Sequence, residues 1–159
     1  MGPFIKQLYE AGFTKKGGRL SCVYYDENTL NINAASEFEG LASCLDYFRA
    51  IDDAFSAQLS AEYEKRFPGT VLFTAGSAAT GMYRGLKLWE VAVKKAKKVD
   101  RETVAAALDS ARIDQGPGGP AEMVPGKRHC KMNMYIAVAK SGKYEVVGRS
   151  KGLVDPKEC

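Results

Sequence analysis

The hydrophobic positions change period several times along the chain, and each change marks an expected element. In GPFIKQLYEAGF, which begins at Gly2, the residues Phe4, Ile5, Leu8 and Tyr9 share one helical face, and Gly12 offers a C-terminal cap. After the polar KKGGR, the run LSCVYY (Leu20 to Tyr25) predicts a buried strand. The polar DENTLN behind it predicts a loop at that strand's carboxyl end, and GLASCLDYF, from Gly40, predicts a second short strand.

From Asp52 the spacing lengthens. Phe55, Leu59 and Tyr63 recur every four residues in a helix that Asp52 or Asp53 can cap and that FPG stops at Pro68. The longest helix is expected from about Gly76 to Lys97, with Ala79, Met82, Tyr83, Leu86, Trp89, Val93 and Ala96 on one stripe. That stripe, Tyr83 and Trp89 included, is the expected core face. Asp100 caps a shorter helix through RETVAAALDSA, whose apolar side is Val104, Ala105 and Leu108. QGPGGP then ends everything helical, because its prolines remove amide donors and its glycines favour unusual dihedrals. Beyond it, KMNMYIAVAK and KYEVVG flank Ser141-Gly142 as a β-hairpin, with Met132, Met134, Ile136 and Val138 alternating with Asn133, Tyr135, Ala137 and Ala139. Helices and strands alternate, so the fold class is α/β.

Composition narrows the possible chemistry. With 159 residues and a hydrophobic fraction of 45%, the chain can fill a core and is expected to be soluble. The charge of +4 is scattered, apart from Lys94, Lys95, Lys97 and Lys98 at a helix end, where they suit the negative end of the dipole. Nucleic acid is therefore not an expected partner. No apolar run approaches the roughly 20 residues of a membrane span, and the N-terminus has no signal-peptide layout. Cys22, Cys44, Cys130 and Cys159 lack the paired spacing of a structural zinc site, and neither a metal nor a cofactor is expected. Cys22 and Cys44 lie in apolar runs and read as buried free thiols, with disulfides left open for an exported protein.

Two stretches invite a chemical reading. AEMVPGKRHC (Ala121 to Cys130) could be a phosphate loop, a nucleophile with its base, a metal half-site or a turn. A phosphate loop needs Ser or Thr where Arg128 stands and convergent amides where Pro125 stands, and a strand, not a helix, is expected next. His129 and Cys130 are adjacent on an extended chain and point to opposite faces, so they cannot readily share a proton. No Gly-x-Ser-x-Gly elbow supplies a serine instead. VYYDEN is different: it sets tyrosines and acids at the carboxyl end of a strand, where open α/β sheets place ligands. Tyrosine rings can cover a small solute while a carboxylate takes its N–H groups. The bland alternative is a solvated loop with one tyrosine packed down. LDYF, Leu45 to Phe48, offers a second aromatic edge.

VYYDENTL, EGLASCLDYFRAIDD, FPG, GSAATGMYRGLKLWEVAVKKA, DRETVAAALDSARIDQGPGGPAEMVPGKRHCKMNMYIA and VDP, in this order, resemble the C-terminal part of type I periplasmic binding proteins. These are the substrate-binding components of ABC transporters for branched-chain amino acids, and YFRAID with GGPAEMVPGKRHC is most similar to the amide- and urea-binding branch. The resemblance implies part of a fold with two three-layer αβα lobes, three crossing strands and a C-terminal β-hairpin. Residues 1–46 would form a second-lobe segment, 47–114 a first-lobe helical segment, and 115–159 the hinge and second-lobe hairpin, with most of the first lobe's sheet missing. It implies capture of a small polar solute by lobe closure, in the periplasm, for a membrane permease, without catalysis. Position by position, the ligand contacts fall on Tyr24, Tyr25, Asp26, Glu27, Tyr47 and Phe48. Amide binders carry hydroxyl residues where this chain has Asp26-Glu27, which leaves the solute open between amino acid, amide and urea. A sensor domain of the same fold, and a hydrolase-like enzyme using Cys130 or Asp26, are the alternatives. An apolar helix stripe without its sheet also implies self-association.

Overall fold

Two small sheets, each backed by its own buried cluster, organise residues 2–68 and 75–157, the part of the chain described by the computed structural model. Cys159 lies outside the described residues. In chain order the elements are α1 (Gly2–Glu10), β1 (Ser21–Cys22), α2 (Glu27–Leu30), α3 (Ala35–Phe38), β2 (Ala42–Leu45), α4 (Ala54–Arg66), α5 (Ser77–Ala96) and α6 (Arg101–Leu108), then β3 (Arg112–Ile113), β4 (Ala121–Met123), β5 (Cys130–Met132), β6 (Tyr135–Lys140) and β7 (Lys143–Arg149). The first sheet has the order β1-β2-β6-β7, with β1 parallel to β2 and the other pairs antiparallel. The second is an antiparallel β3-β4-β5 sheet.

The first sheet's cluster gathers Ile5, Leu30, Leu41 and Leu45 with the rings of Tyr25, Phe38, Tyr47, Phe48, Tyr135 and Tyr144. Along β6 the buried positions are Tyr135, Ala137 and Ala139, while Ile136 is exposed. The hairpin forms as expected: Lys140 pairs with Lys143 across a two-residue loop in which Ser141 and Gly142 both have positive φ, 50° and 80°. That geometry matches the strand twist.

The second cluster joins Leu88 and Ala92 of α5 and Val104 of α6 to Ala111, Ile113, Ala121 and Met123. β4 and β5 therefore pack with the helices, and packing changes partner at Met132–Tyr135. AEMVPGKRHC is the hairpin linking β4 to β5, with Met123 opposite Cys130 and His129 exposed.

Three local expectations need correction. The strand from Leu20 ends at Cys22, and Val23 and Tyr24 are exposed. DENTLN is helical at its centre, because the Asp26 carboxylate accepts the Thr29 amide at 3.2 Å and caps α2. On α5 the buried stripe is Thr80, Arg84, Leu88 and Ala92, whereas Met82, Leu86 and Trp89 (49% exposed) point outward. Both faces of α5 can be read as apolar, and the sequence pattern favours the larger side chains. The smaller ones fit the close approach of β3 and β4.

Candidate functional site

Because β1 and β2 run parallel and side by side, their carboxyl ends deliver the segments 23–27 and 46–49 to one edge of the sheet. Asp26 is fully engaged there. Its Oδ1 accepts from the Thr29 amide and, at 3.3 Å, from the Thr29 hydroxyl, while Oδ2 accepts from the Ser77 amide at 3.3 Å. Ser77 opens the 20-residue helix α5, so the carboxylate also sits at the positive end of a long dipole. A side chain at Gly76 would collide with Asp26 and Asn28, which is why the helix starts on glycine.

Glu27 uses one oxygen in the same way: Oε1 accepts the Arg49 amide at 2.8 Å. Its Oε2 is buried without a hydrogen-bond partner. Burial pushes this carboxyl above its ordinary pKa, backbone amides at Glu27, Arg49 and Ala50 pull the other way, and the charge of Asp26 adds to the rise.

Beside them, Asp46 directly follows β2 and receives two strong donors. Ser77 Oγ donates to Oδ1 at 2.7 Å, and Arg84 Nη1 to Oδ2 at 2.6 Å. Arg84 is 3% exposed, and its Nη2 donates to the Pro117 carbonyl at 2.8 Å while Nη1 also reaches Met132 Sδ at 3.6 Å. One arginine on α5 thus ties together the end of β2, the QGPGGP turn and the end of β5. Gly118 lets that turn close over the Asp46 carbonyl, where a side chain would clash, and holds φ at 76°.

The six residues expected to contact a ligand are separated by burial. Tyr24 presents its ring to solvent, 78% exposed. Tyr25 packs on Phe38 with centroids 5.7 Å apart, Phe48 packs on Tyr144 at 5.1 Å, and Tyr47 hydrogen-bonds Ser60 Oγ at 2.9 Å. These three rings are wholly buried. Burial raises the pKa of Tyr25 and of Tyr47, and more strongly that of Tyr144. Asp26 and Glu27 are held as described above. The sequence reading missed Asp46, Ser77 and Arg84. The spacing of Thr80, Arg84 and Leu88 was the available signal, masked by the larger apolar residues beside it.

Elsewhere, Cys22, Cys44 and Cys130 are free thiols, all partly buried. Burial pushes the Cys130 thiol up, which disfavours the reactive thiolate. Among the described residues no cluster of His, Cys, Asp and Glu could hold a metal ion, and no helix is long and apolar enough to cross a membrane.

The fold has counterparts among solved structures. A solute-binding protein of an ABC transporter from Rhodopseudomonas palustris, in complex with 3,4-dihydroxybenzoic acid, is 26% identical with a TM-score of 0.82, over 98% of this chain and 43% of that one. An amino acid ABC transporter substrate-binding protein from Pseudomonas fluorescens is 17% identical, TM-score 0.78, over 96% and 41%. The leucine-, isoleucine-, valine-, threonine- and alanine-binding protein from Brucella ovis is 15% identical, TM-score 0.77, again over 96% and 41%. The chain thus spans less than half the length of the proteins it matches. No curated protein matches the chain at a significant level. The family model described as periplasmic binding protein matches residues 1–143, nearly the whole α/β framework set out above, and the chain belongs to that family.

Proposed function

We propose that this chain supplies part of a solute-binding site in the periplasm, presenting a small solute to an ABC-transporter permease without chemical change. The observation that carries this reading is Tyr24: a large ring left exposed at the carboxyl end of a sheet strand, on a loop that Asp26 fixes to both α2 and α5. Exposed rings on a fixed loop suit recognition of a flat or amide-bearing solute.

The two acids of the loop help to narrow the solute class. An amino acid's ammonium group needs a free carboxylate, and both Asp26 oxygens and one oxygen of Glu27 already accept from the protein's own amides. An aromatic acid, stacked on Tyr24, needs no such anchor, and the 26% identical solute-binding protein holds one. Amide or urea is the second reading, favoured by the YFRAID crossover at Tyr47–Asp52. Calorimetry of the chain with 3,4-dihydroxybenzoate, acetamide, urea and leucine tests this: heat with the first and no product formed supports the reading. Turnover of any of them that is lost in Cys130→Ala would replace it with an enzyme.

The outward stripe of Met82, Leu86 and Trp89 on α5 supports a further element of the reading, self-association of the chain. Sedimentation showing a monomer at high concentration would contradict it.

A further inference from the structure

Beneath the loop that carries Tyr24, four buried side-chain oxygens have no hydrogen-bond partner among the described residues: Tyr25 Oη, Glu27 Oε2, Ser43 Oγ and Tyr144 Oη. The strand register brings them together. Cys22 of β1 pairs with Ser43, Ser43 pairs with Ala137, and Ala139, two positions along the same face, pairs with Tyr144. Ala137 and Ala139 are small and buried, so the Tyr144 side chain can lie across β6 toward Ser43. Burial and then the Glu27 charge raise the pKa of the Tyr144 hydroxyl, Ser43 lowers it, and Asp26 and Cys22 add to the rise. After burial, Cys22 also raises that of Tyr25. Packing keeps these groups from turning to other partners: Tyr25 is held against Phe38 and Tyr144 against Phe48, while the other oxygen of Glu27 is fixed by the Arg49 amide.

We propose that one buried water molecule binds among these four oxygens and bridges the loop of residues 23–27 to β2 and β7. Buried polar groups left without a partner are costly, and an internal water with several polar neighbours is the common way to satisfy them. Water donates twice and accepts twice. It would donate to Glu27 Oε2 and Ser43 Oγ and accept from the Tyr25 and Tyr144 hydroxyls, which gives each of the four oxygens a partner. A monovalent cation is the poorer occupant, because all four oxygens would turn lone pairs inward and all three hydroxyl hydrogens would stay unpaired. Tyr25 and Glu27 flank Asp26 in sequence, so the water braces from its buried side the same loop that Asp26 ties to α2 and α5.

Urea denaturation of the chain and of Tyr144→Phe, which keeps the packed ring, tests the bridge by the sign of the change. Loss of a bonded hydroxyl should raise the unfolding constant about fivefold. Tyr25→Phe should do the same, and the double variant should fall short of the product, because both hydroxyls bond one molecule. Amide hydrogen exchange at residues 24–27 should quicken at least about threefold in each single variant, and a crystal structure of the chain should show one water within hydrogen-bond reach of all four oxygens. With nothing bound there, Tyr144→Phe would remove an unpaired buried hydroxyl and stabilise the chain, which would overturn the proposal. A gain in stability specific to sodium or potassium at constant ionic strength would overturn it in favour of an ion. None of these measurements involves a solute, so their outcome is separable from the reading of Tyr24.

Discussion

In the β1-β2-β6-β7 sheet Tyr135 and Tyr144 turn inward, whereas on α5 Met82, Leu86 and Trp89 turn outward. Tyr25, Phe38, Tyr47, Phe48, Tyr135 and Tyr144 are all buried in the first unit, while Met82, Leu86 and Trp89 face away from the second. The first unit buries these six rings within the chain. The second buries a narrower stripe of Thr80, Leu88 and Ala92 around the Arg84 ion pair, and the larger solved structures of the family contain more than twice the length of this chain. Helix α5 therefore carries two burial surfaces, one filled and one open.

The largest expected effect comes from the charge at the centre of the filled surface. Arg84→Ala leaves Asp46 with an uncompensated negative charge and the Pro117 carbonyl without its donor, and should cost about 3–5 kcal/mol in urea denaturation. Arg49→Ala removes a pair of similar length with Glu64, but that pair is about half exposed and should cost at most about 1 kcal/mol. Equal losses would break the distinction between the filled surface and the rim.

Next, two leucines two positions apart on α5 compare its faces directly. Leu88→Ala should cost about 2–5 kcal/mol by leaving a cavity, and Leu86→Ala no more than about 0.5 kcal/mol, since Leu88 is buried and Leu86 exposed. Similar costs for both would mean that the outward face is already covered within the chain.

A smaller effect is expected from Glu27. A carboxyl whose pKa is higher folded than unfolded holds more protons in the folded state between the two values. Its contribution is present below the unfolded value of about 4.3 and is lost as pH rises through the raised folded value. Glu27→Gln keeps the oxygen that accepts from Arg49 and should stabilise the protein at neutral pH while flattening stability across that window. A steeper dependence would contradict the burial argument. Smallest of all, Trp89→Ser should change stability by less than about 0.5 kcal/mol yet reduce association in sedimentation.

Much of the fold was legible because periodicity and punctuation agree. The cap at Asp53, one of the two expected positions, the cap at Asp100 and the Ser141-Gly142 hairpin follow from local chemistry. The burial face of α5 was not legible, because it depends on which partner is present, and hydrophobicity alone favours the larger side chains. At the candidate site, the loop position was visible but the burial of Tyr25, Tyr47 and Phe48 was not. Alternation along a strand does not reveal which aromatic residue the neighbouring helices cover. Arg84 escaped notice because a single arginine on an apolar helix reads as a solvated charge until Asp46 is brought beside it by the fold.

The reading of the Tyr24 loop as the solute contact is tested most directly by NMR titration of the chain and its Tyr24→Ala variant with 3,4-dihydroxybenzoate. The account predicts saturable shifts in residues 23–27 of the native chain and at least about a tenfold loss of affinity in the variant. An unchanged affinity in Tyr24→Ala, or shifts that avoid this loop, would contradict it.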